Sequence, residues 1–76
     1  MRLADVFAKV LKAPADDFTD ESSQESVLNW TSLRHVALLI EVENTYQIHF
    51  SNTEMAAMRT VGDVRTALAR KGAEVS

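Results

Sequence analysis

The chain has 76 residues, 46% of them hydrophobic and 25% charged, with a formal net charge of −3. A single domain over residues 1–76 is expected; at this size it buries only roughly 60–65% of its unfolded surface and has little room to enclose a substrate cavity. The acidic balance excludes the basic face of a nucleic-acid binder, and no apolar run reaches the roughly 18–20 residues of a membrane span. No signal peptide is expected, because Met1 and Arg2 lead into an amphipathic pattern. Cysteine is absent, which removes disulfides, thiolate metal sites and a Cys nucleophile and points to the cytoplasm. Any thiol chemistry must be brought by a cofactor.

Leu3, Val6, Phe7, Val10 and Leu11 follow the i, i+3, i+4, i+7, i+8 spacing of a first amphipathic helix, which Pro14 stops. A polar stretch runs from there to about Asn29. It holds Asp16, Asp17, Asp20, Glu21 and Glu25 and no Lys or Arg, a local charge of −5, against eight bases and six acids (+2) in the remainder. It reads as a long solvated loop, with Phe18, Val27 and Leu28 as candidate anchors to the core. A second helix is predicted from about Ser32 to Tyr46, since no Gly or Pro interrupts it. Ile48 and Phe50 read as buried loop positions. Ser51 with Glu54 forms a capping box for a short third helix through Met58. Thr60 with Asp63 forms another for a fourth helix carrying Val61, Val64 and Leu68, closed by Arg70, Lys71 and Gly72. No strand pattern is present. The predicted architecture is all-α: an antiparallel four-helix bundle of three main helices and one short helix, with a long first connection.

The second helix carries two apolar stripes. One is Leu38, Leu39, Val42 and Tyr46; the other is Leu33, Val36, Ala37 and Ile40. Four short helices cannot readily surround one of their own, so one stripe is expected to stay partly exposed and to suit a partner. Spacing alone does not decide which. The helix start has Thr31 or Ser32 as its cap and no acid in its first turn; Arg34 and His35 stand there instead. A helix N-terminus with two potential cations is a setting that suits a phosphate on Ser32; a plain Ser cap beside surface charges is the simpler alternative.

The stretch Trp30-Thr31-Ser32-Leu33 followed by an apolar helix resembles the phosphopantetheine site of the acyl carrier and peptidyl carrier protein family, whose motif is Asp-Ser-Leu. The likeness runs from about Leu28 to Lys71. It takes in the helix ending in Tyr46, the Ile48-His49-Phe50 turn, the short third helix, and Met58-Arg59-Thr60-Val61-Gly62-Asp63-Val64 before the fourth. The resemblance implies a non-catalytic, monomeric carrier with 4′-phosphopantetheine, donated by coenzyme A, attached to Ser32. It implies as partners a phosphopantetheinyl transferase, an acyl- or aminoacyl-loading ligase and acyltransferase or synthase enzymes. Thr31, Leu33, Arg34, Val36 and Ile40 would face those partners, and Leu38, Leu39, Val42 and Tyr46 the core. Thr31 stands where the family has Asp, and the second helix carries only Glu41 and Glu43 as acids. These departures, with Trp30 before the motif, point to a specialised polyketide, peptide, fatty-acyl or aminoacyl pathway.

Three other readings compete. A carrier-like helical module that is never modified and only binds a protein is compatible with Thr31. A hydrolase built on Ser32 and His35, at i and i+3, lacks an orienting acid and an oxyanion hole. A helix-turn-helix DNA binder conflicts with the acidic loop. His49 has no partner at metal-ligand spacing, so no metal site is expected.

Overall fold

The computed structural model describes residues 2–75. It contains four α-helices: α1 (Leu3–Leu11), α2 (Ser32–Tyr46), α3 (Asn52–Ala57) and α4 (Val61–Arg70). A single 3₁₀ turn, Ala15–Asp17, lies in the first connection. The only β-type pairing among the described residues is an isolated bridge between Ser23 and Thr60. The chain is a small helical bundle, as the sequence pattern predicts.

Each helix forms where its local chemistry is self-consistent. In α1, Leu3, Val6, Phe7 and Leu11 are buried, while Val10 is half-buried. The Asp5 carboxylate accepts the Arg2 backbone N–H at 3.3 Å and pairs with its guanidinium at 3.4 Å. The helix ends at Leu11, three residues before Pro14, with Lys12 in the left-handed region at φ 56°. The proline keeps Ala13 out of helical geometry, and the chain turns just ahead of it. In α3 the Ser51 hydroxyl accepts the Glu54 N–H at 3.1 Å and the Glu54 carboxylate accepts the Ser51 N–H at 2.8 Å. In α4 the Thr60 hydroxyl accepts the Asp63 N–H at 3.0 Å, and Asp63 accepts the N–H groups of Thr60 and Arg59. Both boxes satisfy donors that a helix start leaves open. Met58 lies outside α3: its backbone is extended and its side chain is buried.

The long connection is tied down more firmly than its composition suggests. The Ser22 carbonyl accepts the Val61 N–H at 3.1 Å and the Asp20 carbonyl accepts the Gly62 N–H at 2.9 Å. The loop backbone therefore closes the first turn of α4, and the approach is close. A Cβ on Gly62 would stand 3.1 Å from the Asp20 carbonyl oxygen. Arg65 adds an ion pair to Asp20 at 3.1 Å. Of the expected anchors, Phe18 is buried against Phe7, with ring centroids 5.7 Å apart, and Val27 is half-buried. Leu28 is not an anchor: it is 94% exposed. The Val27 N–H bonds the Ser23 carbonyl and the Trp30 N–H bonds the Val27 carbonyl, so consecutive tight turns aim Val27 inward and its neighbour outward. Trp30 is the main anchor, buried edge-to-face on Phe7 at 5.2 Å.

α2 lays Leu38, Leu39 and Val42 into the core, each fully buried. Tyr46 packs against the core but is only half-buried. The C-terminal end of α2 is braced by the Glu43 carboxylate, which accepts the Phe50 N–H at 2.8 Å and pairs with the exposed His49 at 3.2 Å. Phe50 is buried beneath this brace; Ile48 is half-buried.

Candidate functional site

The start of α2 divides its work between two adjacent hydroxyls. Thr31 is the cap: its backbone is extended, its hydroxyl accepts the Arg34 N–H at 3.2 Å, and its carbonyl accepts the His35 N–H at 2.9 Å. Ser32 is then the first residue of the helix, and it is exposed. With Thr31 serving as cap, no hydrogen bond to another described residue engages the Ser32 hydroxyl. A nucleophilic oxygen is thus presented to solvent on a rigid element. It borders an open recess of about 370 Å³ between the long loop, α2 and the α3–α4 connection. His35, Glu25, Met58 and Arg59 also line this recess. A second recess, of about 260 Å³, lies between α3 and α4 and does not include Ser32.

The two residues expected to act as cations at the helix start are otherwise engaged. The Arg34 guanidinium is part-buried and donates to the Val10 carbonyl at 3.3 Å. Together with Asn29, whose side-chain amide donates to the Leu11 carbonyl at 2.9 Å, it satisfies the C-terminal end of α1. His35 is also part-buried. Its Nδ1 accepts the Trp30 indole N–H at 3.0 Å, and its Nε2 lies 3.1 Å from the Met55 carbonyl oxygen. An indole nitrogen can only donate and a carbonyl only accept, which fixes the tautomer: the lone pair is on Nδ1 and the hydrogen on Nε2. Arg59, not singled out from the sequence, is the basic residue that lines the Ser32 recess.

This arrangement also bears on the Ser32–His35 pair. Both imidazole nitrogens are occupied by other partners, so neither stands ready to take a proton from the Ser32 hydroxyl. Among the described residues no group of His, Asp and Glu could hold a metal ion. Nor, among the described residues, is any helix long and apolar enough to cross a membrane.

The second stripe of α2 faces out. Leu33 is 83%, Val36 53% and Ile40 48% exposed, against 0% for Leu38 and Leu39. The acids of this helix do not form an open acidic surface: Glu41 pairs with Lys9 at 3.0 Å, and Glu43 is held by His49 and the Phe50 N–H. The helix therefore offers solvent an apolar ridge that begins one residue after Ser32. Exposed apolar side chains clustered in this way mark a contact surface more often than scattered ones do.

An exposed serine thus opens α2, an apolar ridge lies beyond it and a pinned loop precedes it. No family model and no curated protein matches the sequence. Solved structures do match. One, from Mycobacterium tuberculosis and provisionally named an acyl carrier protein, superposes with a TM-score of 0.81 at 25% identity, over 91% of this chain and 92% of that one. This fold agrees with the likeness to acyl carrier proteins already read from Leu28 to Lys71.

Proposed function

We propose that the chain is a carrier that takes a 4′-phosphopantetheine arm on Ser32 and presents the attached acyl or aminoacyl group to partner enzymes in a specialised pathway. The observation that carries this reading is the division of labour at the start of α2. Thr31 caps the helix, so the Ser32 hydroxyl stays exposed at the first helical position. The residues present fit the group. The hydroxyl is unengaged, the backbone N–H groups of the first turn favour a phosphate there, and Arg59 adds a positive charge to the adjoining recess. The arm supplies the thiol that a chain without cysteine lacks.

The chain's own residues do the rest. Ser32 would lose its hydroxyl proton and give the oxygen that bonds to the arm's phosphorus, while the pyrophosphate bond of coenzyme A breaks and its bisphosphorylated adenosine leaves; a phosphopantetheinyl transferase would carry out this exchange. Thr31 and the Trp30–His35 contact fix the direction of the helix that bears it. Leu33, Val36 and Ile40, with Thr31 and Arg34 beside them, form the surface against which the transferase, a loading ligase and an acyltransferase or synthase would seat. The test is an intact mass after incubation with coenzyme A and a panel of transferases of broad specificity. The mass rises by one arm in the wild type and is unchanged in Ser32→Ala. No rise with any transferase would favour a module that only binds proteins.

A further inference from the structure

We propose that His35 is a positioning residue: its neutral form clasps Trp30, the anchor of the long loop, to the first turn of α2, and uptake of a proton opens that contact beside Ser32 while the tie to α3 persists. The clasp is a three-part chain. The indole of Trp30, buried on Phe7, donates to His35 Nδ1 at 3.0 Å; His35 Nε2 carries the hydrogen that meets the Met55 carbonyl of α3 at 3.1 Å. The two rings lie near parallel, 26° apart with centroids at 6.0 Å. Thus one imidazole joins the anchor of the long loop, the first turn of α2 and the short helix opposite. It also lines the recess that Ser32 borders.

The chemistry of the clasp is one-sided. Protonated imidazole donates from both nitrogens. The bond to the Met55 carbonyl survives protonation, but the Trp30 contact becomes one donor facing another. Because Trp30 N–H can only donate and is buried, the indole must turn or the first turn of α2 must move. The charged groups around His35 do not replace the lost bond. Glu25 of the loop and Arg59 of the α3–α4 connection line the recess with opposite charges, and neither forms an ion pair with His35. Arg34, its neighbour in α2, is held by the Val10 carbonyl. Glu54, next to Met55 in α3, is paired with Lys71 at 3.1 Å.

The chain has one tryptophan, so its single indole N–H resonance reads the clasp without ambiguity. The experiment follows that resonance from about pH 8 to about pH 5 in the wild type, His35→Asn and His35→Gln. In His35→Asn the side-chain oxygen replaces Nδ1 without titrating, so the resonance stays near its wild-type position at high pH throughout. His35→Gln reaches Met55 but not Trp30, and shows the acid-like position at every pH. The wild type moves from the first position to the second. A wild-type resonance that stays still, or a His35→Asn resonance that moves with it, overturns the clasp. The functional half rests on the carrier reading. The rate of arm transfer in the wild type, divided by that in His35→Asn, is expected to fall severalfold from about pH 8 to about pH 5.5. A flat ratio overturns the link to Ser32. Absence of any transfer overturns the carrier reading instead, while the indole resonance still decides the clasp.

Discussion

Truncating the two stripes of α2 separates a docking ridge from a core. Leu39 is fully buried, so Leu39→Ala removes its packing and leaves a cavity, at a cost of about 2–5 kcal/mol. The whole domain is expected to be stable by only roughly 4–11 kcal/mol at its size. Ile40 is the next residue along the helix but is 48% exposed, so truncation forfeits about half of its burial, roughly 1 kcal/mol. Alanine is the better helix former by about 0.4 kcal/mol, which brings the net cost to about 0.5 kcal/mol. Val36→Ala, at 53% exposure, should fall at or below the same value. Urea melts followed by helical circular dichroism resolve the contrast. With a slope of about 1 kcal/mol per molar for a small domain, Leu39→Ala shifts the midpoint by about 2 M or more, and Ile40→Ala by about 0.5 M. An Ile40→Ala midpoint that falls as far as that of Leu39→Ala would place Ile40 in the core and remove the ridge on which partner docking is argued.

Three further outcomes follow from local geometry. Thr31→Asp keeps the α2 cap, because a carboxylate accepts the same N–H, and restores the acid of the family motif. Modification by a housekeeping-type transferase should quicken severalfold, or about 1 kcal/mol or less for an exposed charged contact; an unchanged rate in a single-turnover assay would show that Thr31 is not limiting. Glu54 is held below its ordinary pKa by the Ser51 backbone N–H and then by Lys71. Its contribution is present above the usual carboxylate range and is lost as pH falls through the lowered value, so the stability lead of the wild type over Glu54→Gln should shrink in acid. A lead that grows in acid would contradict the assignment. Gly62→Ala should bring none of the roughly 1 kcal/mol that alanine normally adds to a helix, because its Cβ would crowd the Asp20 carbonyl oxygen at 3.1 Å. A full gain in the melt would mean that the loop yields freely.

The parts of this fold that are written locally are legible in the sequence. Ser51 with Glu54 and Thr60 with Asp63 mark helix starts because cap and acceptor lie three residues apart. The bounds of α2, Ser32–Tyr46, follow from an uninterrupted apolar pattern between polar turns. Periodicity shows that α2 has two apolar stripes, but the choice of outward face rests on the family likeness; burial agrees with it. What is not legible depends on distant partners. The carbonyls of Asp20 and Ser22 meet N–H groups some forty positions away, and no residue type signals a backbone acceptor. Leu28 looks like an anchor by composition, yet the turn aims it outward. Arg34 and His35 read as free cations because the Val10 carbonyl, the Met55 carbonyl and the Trp30 indole belong to other segments of the chain. Trp30 stands outside any helical period, and its value as an anchor appears only once Phe7 is placed beneath it.

The central claim is that Ser32 carries the arm in the cell. The most direct measurement is the mass of the chain isolated from its own source, with the adduct mapped by peptide fragmentation. A chain heavier by one phosphopantetheine, with the added mass on the peptide containing Thr31-Ser32-Leu33, is the expected result. An unmodified chain in cells whose other carriers are loaded, or an adduct on any other residue, would contradict it.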